Sequence, residues 1–172
     1  VDALQEIKFN YPEYRDKFLL QIIGGPGLAS QATYMKDLEQ RVTSERLDSM
    51  IDFIGPLPQA KVLPYYQNCD LFLNLSATGS VDKVVLEAMA FEKLVLVSNE
   101  AFKNILLAST GTGGTEKLFF EEKDSKVLAQ KILEVYNLPT QKREELGKKL
   151  RQEVENNHNL GNLVNKILNL YE

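Results

Sequence analysis

The chain has 172 residues, 44% of them hydrophobic and 26% charged, with a net charge of −4; this is the make-up of one sizeable globular domain. No apolar run approaches the roughly 20 residues that span a bilayer, and an acidic balance without long basic runs excludes nucleic acid as the main partner. Cys69 is the single cysteine, so an internal disulfide is excluded, a small core residue is its expected role, and the usage fits a reducing compartment.

The first element is an amphipathic helical pattern, Val1-Asp2-Ala3-Leu4-Gln5-Glu6-Ile7, without an initiating Met, signal peptide or leading strand. A strand normally precedes such a helix in an α/β fold, so the expectation is a piece of a longer protein. Apolar periodicity predicts helices over about 2–10, 29–46, 58–68, 81–91 and 100–108. Between them lie strand-like runs at Phe18–Ile23, Met50–Ile54, Asp70–Leu75 and Leu94–Val97, with a shorter one at Lys117–Phe120. These runs are continuously apolar, as strands covered on both faces are. Gly24-Gly25-Pro26-Gly27 and Gly55-Pro56-Leu57-Pro58 punctuate two strand ends. Such alternation predicts a Rossmann-like, doubly wound parallel sheet. From Ser125 onward the pattern is helical only: Lys126–Tyr136, a charged helix at Gln141–Glu155, and Leu160–Tyr171 with Leu163, Val164, Ile167, Leu168 and Tyr171 at helical spacing. With no repeat or linker, residues 1–172 read as one domain with a helical tail.

Asp70–Ser98 carries the most chemistry. An apolar strand enters the small-residue loop Ser76-Ala77-Thr78-Gly79-Ser80, a short helix follows, and a second apolar strand closes a βαβ unit. Open α/β sheets hold ligands at such strand ends, and the first N–H groups of the next helix suit an anion. That helix is apolar except for Asp82, Lys83 and Glu87. Lys83 and Glu87 stand at i,i+4, so a surface ion pair worth a few tenths of a kcal/mol is one reading. The other is that Glu87 accepts hydrogen bonds from ligand hydroxyls such as a ribose diol, since a carboxylate on a mostly buried helix needs a partner.

The stretch Asp52–Ser98, DFIGPLPQAKVLPYYQNCDLFLNLS followed by the loop and VVLEAMAFEKLVLVS, resembles the carboxyl-terminal domain of retaining family 4 glycosyltransferases of the GT-B fold. The family's pattern is a strand ending FxGxV, a helix ending YYxxAD, a strand ending in Pro-Ser or similar, and a helix carrying LEAMA-x-G-x-PV. The likeness extends upstream to Ile22-Ile23-Gly24-Gly25-Pro26-Gly27 and more weakly to the tail. It implies that this domain binds a nucleotide-diphosphate sugar and that a glycan or lipid-linked acceptor lies mainly on an amino-terminal domain outside the chain. No cofactor beyond that sugar substrate and no metal are implied, and the single His and single Cys offer no metal-ligand cluster. The resemblance also implies a cytoplasmic enzyme at the inner face of the membrane, associating with it peripherally through the amino-terminal domain, and an isolated chain that is folded but inactive.

By the same resemblance Glu87 matches the second glutamate of a Glu-x7-Glu motif and holds the donor ribose. Amides around Gly79, Ser80 and Val81 would face the diphosphate with Lys83 as a cation, Gly55-Pro56-Leu57 would border the base, and the turn containing Gly25 would approach the same cleft. No residue is assigned a catalytic role. The sequence departs from the pattern at Gly79, where the first glutamate would stand eight residues before Glu87. Asp82 is either a partial substitute or a favourable partner for the helix dipole. The family's diphosphate-binding Arg and Lys follow a strand that would precede Val1. The missing carboxylate keeps open a second class of function, a non-catalytic nucleotide-sugar-binding or interaction module. A sugar-nucleotide epimerase of related fold is a third, disfavoured because LEAMA is closer to transferases and no acid/base group is visible.

Other residues read more simply. Gly24–Gly27 is not the GxGxxG dinucleotide fingerprint. Thr110-Gly111-Thr112-Gly113-Gly114-Thr115 reads as a surface loop, His158 as a capping or packing residue between tail helices, and Tyr65 and Tyr66 as packing residues at a helix end. No Ser-His-Asp set or hydrolase-like carboxylate pair can be assembled.

Overall fold

The computed structural model describes residues 1–27, 29–76, 79–121 and 124–168. The backbone forms two compact units, Val1–Pro64 with Asp124–Ala129, and Tyr65–Lys123 with Gln130–Glu172.

In the first unit, α1 (Asp2–Asn10) buries Ala3, Leu4 and Ile7 on one face and stops at non-helical Tyr11, which precedes Pro12 and is therefore disfavoured from the helical region. After a 3₁₀ turn at Pro12–Tyr14, β1 (Leu20–Ile23), α2 (Ala29–Ser44) and β2 (Ile51–Gly55) form a right-sized βαβ crossover. The two strands run parallel, pairing Leu20 with Ile51 and Ile22 with Phe53 before a one-residue shift sets Ile23 opposite Gly55. Lys8 ties α1 to the end of α2: its ammonium donates to the carbonyl oxygens of Glu45 at 3.1 Å and Arg46 at 2.5 Å. These carbonyls belong to the turn that follows α2, where no helical N–H is available to them.

Helix α3 (Gln59–Asn68) carries the chain into the second unit. There β3 (Leu71–Asn74), α4 (Lys83–Ala90) and β4 (Leu94–Val97) repeat the crossover, with Leu71 opposite Leu94 and Asn74 opposite Val97 in parallel register. Among the described strands only β4 is buried along its whole length, at 0–3% exposure. The others are partly covered, so the expectation of strands buried on both faces holds for β4 alone.

Two sequence expectations are corrected beyond β4. The Thr110–Thr115 stretch is not a loop: α5 (Lys103–Leu118) runs through it, preceded by a 3₁₀ turn at Glu100–Phe102 and kinked at Gly111, whose φ of +70° is foreign to a helix. Packing against α7 (Thr140–Asn157) overrides the weak helix preference of Gly113 and Gly114, while Gly111 stays non-helical at the kink. The expected strand Lys117–Phe120 reduces to a single parallel bridge between Val97 and Phe119, supported by a Phe120 N–H donating to the Val97 carbonyl at 3.1 Å, because α5 consumes its first two residues.

Helix α6 (Ser125–Tyr136) precedes α7, which packs on α4, β4 and α5 through fully buried Leu146 and Leu150. Gly147 allows the approach: a Cβ there would stand 2.2 Å from the Glu92 carbonyl oxygen. The outer face of α7 is laced with pairs at helical spacing, Glu145 with Lys142 at 3.0 Å and Lys149 at 2.7 Å, and Arg151 with Glu155 at 2.7 Å. His158 is the C-cap residue of α7 and its ring lies 3.5 Å from Glu153. Helix α8 (Leu160–Leu168) follows, with Leu160, Val164 and Leu168 exposed; the side chains of Leu163 and Ile167, and Tyr171 entirely, lie outside the described residues. Among the described residues no helix is long and apolar enough to cross a membrane.

Candidate functional site

In the first unit the two glycine turns meet. The Gly24 N–H donates to the Gly55 carbonyl at 2.9 Å, and a Cβ on Gly25 would lie 3.4 Å from the Pro56 ring. Gly25, Gly55 and Leu57 thus stand together at the carboxyl ends of β1 and β2, Gly25 exposed and Leu57 half-buried.

The remaining candidates, Gly79, Ser80, Val81, Lys83 and Glu87, lie in the second unit. Ala77 and Thr78 fall outside the described residues. The helix begins at Lys83, two residues later than its apolar spacing predicts, so Ser80 and Val81 sit exposed in the turn before it. The reason is Asp82, which takes the extended N-cap geometry at φ −73° and ψ 121°. Its carboxylate does not cap the helix. It accepts instead from the Ser76 hydroxyl and from the Asn99 amide at 3.3 Å. In this structure the Asp82 carboxylate thus ties the turn to Ser76 and Asn99. Gly79 has a φ of +70° with nothing within 4 Å of where a Cβ would be; the backbone, not crowding, makes this a glycine position.

Asn99 is the buried polar side chain at the centre of this arrangement, 1% exposed. Its amide also donates to the Ser80 carbonyl at 2.7 Å, and its carbonyl oxygen accepts from the Ala101 N–H at 3.1 Å. The side chain so links the turn before α4 to the exit of β4. Sequence reasoning passed over Asn99, although an Asn directly before a helical turn, here Glu100–Phe102, is a known capping signal.

Glu87 lies on the partly exposed side of α4, its side chain 29% accessible. The Lys83 ammonium stands 3.5 Å from Oε1 and is 79% exposed, so the i,i+4 pair exists and is a weak one. The second partner is Tyr66, whose hydroxyl donates to Oε2 at 2.9 Å. Tyr66 is 6% exposed, stacked on Phe91 with ring centroids 5.8 Å apart at 10°, and tilted against Phe72. Burial, then the bond to Glu87, holds its phenol proton well above the ordinary tyrosine range. Tyr66 packs, as its place at a helix end predicts, but its hydroxyl contact across 21 positions carries no sequence signal. Cys69 donates its thiol to the Tyr66 carbonyl at 3.7 Å, and burial pushes its pKa up, which suits an inert thiol. Among the described residues no cluster of His, Cys, Asp and Glu could hold a metal ion.

Several solved structures share this fold. The chain superimposes over 99% of its length on a glycosyltransferase from Rickettsia africae, with a TM-score of 0.77 and 22% identity, covering 42% of that protein. It matches the C-terminal domain of a glycosyl transferase group 1 family protein from Francisella tularensis over 92% of its length and 78% of that chain, with a TM-score of 0.73 and 22% identity. The catalytic domain of cholesterol-alpha-glucosyltransferase from Helicobacter pylori aligns with 90% of the chain and 86% of its own, with a TM-score of 0.65 and 18% identity. These likenesses establish the fold as the Rossmann-like carboxyl-terminal half of GT-B enzymes. No curated protein matches the sequence. The family model described as glycosyl transferases group 1 matches residues 1–153, and the chain belongs to that family.

Proposed function

We propose that this chain is the donor-binding part of a glycosyltransferase that moves a sugar from a nucleotide-diphosphate donor to a glycan or lipid acceptor. The observation that carries the reading is Glu87: a part-exposed carboxylate on a helix apolar but for it and Lys83, held from one side by Tyr66. In this reading the carboxylate accepts hydrogen bonds from the ribose diol. Amides of the turn through Gly79, Ser80 and Val81, with the exposed ammonium of Lys83, meet the diphosphate and stabilise charge on the leaving phosphate. The nucleotide sugar is substrate, and the reading calls for no separate cofactor.

Calorimetric titration of the chain with UDP-, GDP- and ADP-glucose tests this. One of them should bind, and Glu87→Gln should weaken it about tenfold or more, since hydrogen bonds to a charged group contribute about 1.5–3 kcal/mol. Unchanged affinity in the variant refutes the ribose role.

A second reading is a module that binds nucleotide sugars without transfer. The left-handed backbone at Gly79, in the place of the motif's first glutamate, favours it, as does the commitment of the Asp82 carboxylate to Ser76 and Asn99. Donor affinity without release of free nucleoside diphosphate, in the full-length protein with acceptors present, would support this second reading over the first.

A further inference from the structure

We infer that Tyr66 is a positioning residue that presents Glu87 to the ribose, an inference that rests on the donor reading above. A glutamate has three rotatable side-chain bonds, and on a helix surface its carboxylate samples several rotamers. Two contacts restrict this one, and they differ in kind. Lys83 approaches Oε1 from solvent on a side chain 79% exposed. A contact of that sort holds a partner weakly and yields readily to a competing ligand. Tyr66 is the opposite. Its ring is fixed between Phe91 and Phe72 and its backbone belongs to α3, so the hydroxyl that meets Oε2 at 2.9 Å comes from a rigid mount. The hydroxyl occupies one oxygen on its protein side and orients the carboxylate plane. Oε1, approached from solvent by the Lys83 ammonium, is the oxygen this arrangement leaves to a vicinal diol. A carboxylate that a ligand need not immobilise binds that ligand more tightly, because the ordering cost is met on folding.

Tyr66→Phe tests the idea, because it retains the stacked ring and removes one oxygen. The probes are the tightest-binding of UDP, GDP and ADP and the 2′-deoxy form of the same nucleotide. The expected result is a loss of about three- to tenfold in affinity for the ribonucleotide, the size of one ordinary hydrogen bond, with a change of less than about twofold for the deoxynucleotide. In a Glu87→Gln background Tyr66→Phe should add less than it does alone, since coupled residues are not additive. An equal loss on both nucleotides, or none on either, overturns the inference. Ribonucleotide binding that falls with Glu87→Gln but not with Tyr66→Phe overturns the role of Tyr66 and leaves the donor reading standing. Failure of the unsubstituted chain to bind any of the three overturns both. Thermal unfolding of each variant guards the comparison. Where Tyr66→Phe unfolds early, Tyr66→Trp is no substitute, and the same titrations at lower temperature, within the folded range, decide between these outcomes.

Discussion

Adding one methyl group at Gly147 tests how closely α7 rides over the turn between α4 and β4. A Cβ there would stand 2.2 Å from the Glu92 carbonyl oxygen and 3.1 Å from its carbonyl carbon. Even close C–H···O contacts keep about 3.3 Å between carbon and oxygen, so helix or turn must give by about 1 Å. The turn resists: Glu92 has a φ of +59°, its N–H donates to Met89 at 2.9 Å, and Lys93 donates to Ala88 at 3.1 Å. The helix therefore moves, and it carries Leu146 and Leu150, at 1% and 0% exposure, away from their neighbours. A buried leucine makes about 40–60 contacts of roughly 0.1–0.2 kcal/mol, and a 0.5–1 Å gap forfeits about a quarter or more of each. Over the half of the contacts that face the gap this is about 1 kcal/mol per leucine, or about 2 kcal/mol for the pair. Replacing a helical Gly by Ala returns about 0.5–1 kcal/mol. The expected net cost for Gly147→Ala is about 1–1.5 kcal/mol, or a fall of about 2–6 °C in melting temperature for a chain of this size. Gly113→Ala is the matched control, because Gly113 is an exposed residue of α5 with nothing within 4 Å of its Cβ position. It should stabilise, so one chemical change gives opposite signs at two positions. Urea and thermal unfolding measure both, and a neutral or stabilising Gly147→Ala would refute the reasoning.

Asn99→Ala should cost about 1–3 kcal/mol in urea unfolding, the penalty for leaving buried polar groups without a partner. Asn99→Asp should be worse at neutral pH, because it sets a second carboxylate beside Asp82, and should recover as acid protonates the pair; stability equal to the unsubstituted chain at pH 7 would count against this. Tyr66 supplies an alkaline prediction. Its folded pKa is raised, so the stability it contributes is fully present below its ordinary value of 10.0 and is lost as pH rises beyond that toward the folded value. Tyr66→Phe should therefore lose less stability between neutral and alkaline pH, and parallel alkaline slopes for the two chains would refute the assignment.

The fold was legible where one periodicity dominates. Leu94–Val97 is an unbroken apolar run and matches β4 residue for residue, and Asp2–Asn10 needed only the spacing of Ala3, Leu4 and Ile7 and the stop at Pro12. Errors arose where tertiary contacts outvote local preference. Gly111, Gly113 and Gly114 argue for a loop in isolation, yet only Gly111 leaves the helical region, as a kink, and helix resumes through Gly113 and Gly114 on a face packed on α7. Val81 fits the apolar wheel and so starts α4 early in the sequence reading, while the Ser76 and Asn99 contacts that hold Asp82 extended lie outside the helix. Glu87 stood out on composition alone, as a charge on an apolar helix. The partner that fixes it did not, since nothing in α3 marks one tyrosine of an adjacent pair as facing α4. The resemblance carried what periodicity could not: it pointed to the two glycine turns and to the vacancy at Gly79.

The buried amide of Asn99 has a kinetic consequence for the exposed turn it holds. Surface turns ordinarily exchange their amide hydrogens through local fluctuations costing almost nothing. Here Ser80 and Asp82 are bonded to a side chain seated at the end of β4, the most deeply buried strand described. A fluctuation that frees the turn leaves the buried Asn99 amide without these acceptors, at a cost of about 1–3 kcal/mol, so this exposed turn should open less often than its place on the surface alone would allow.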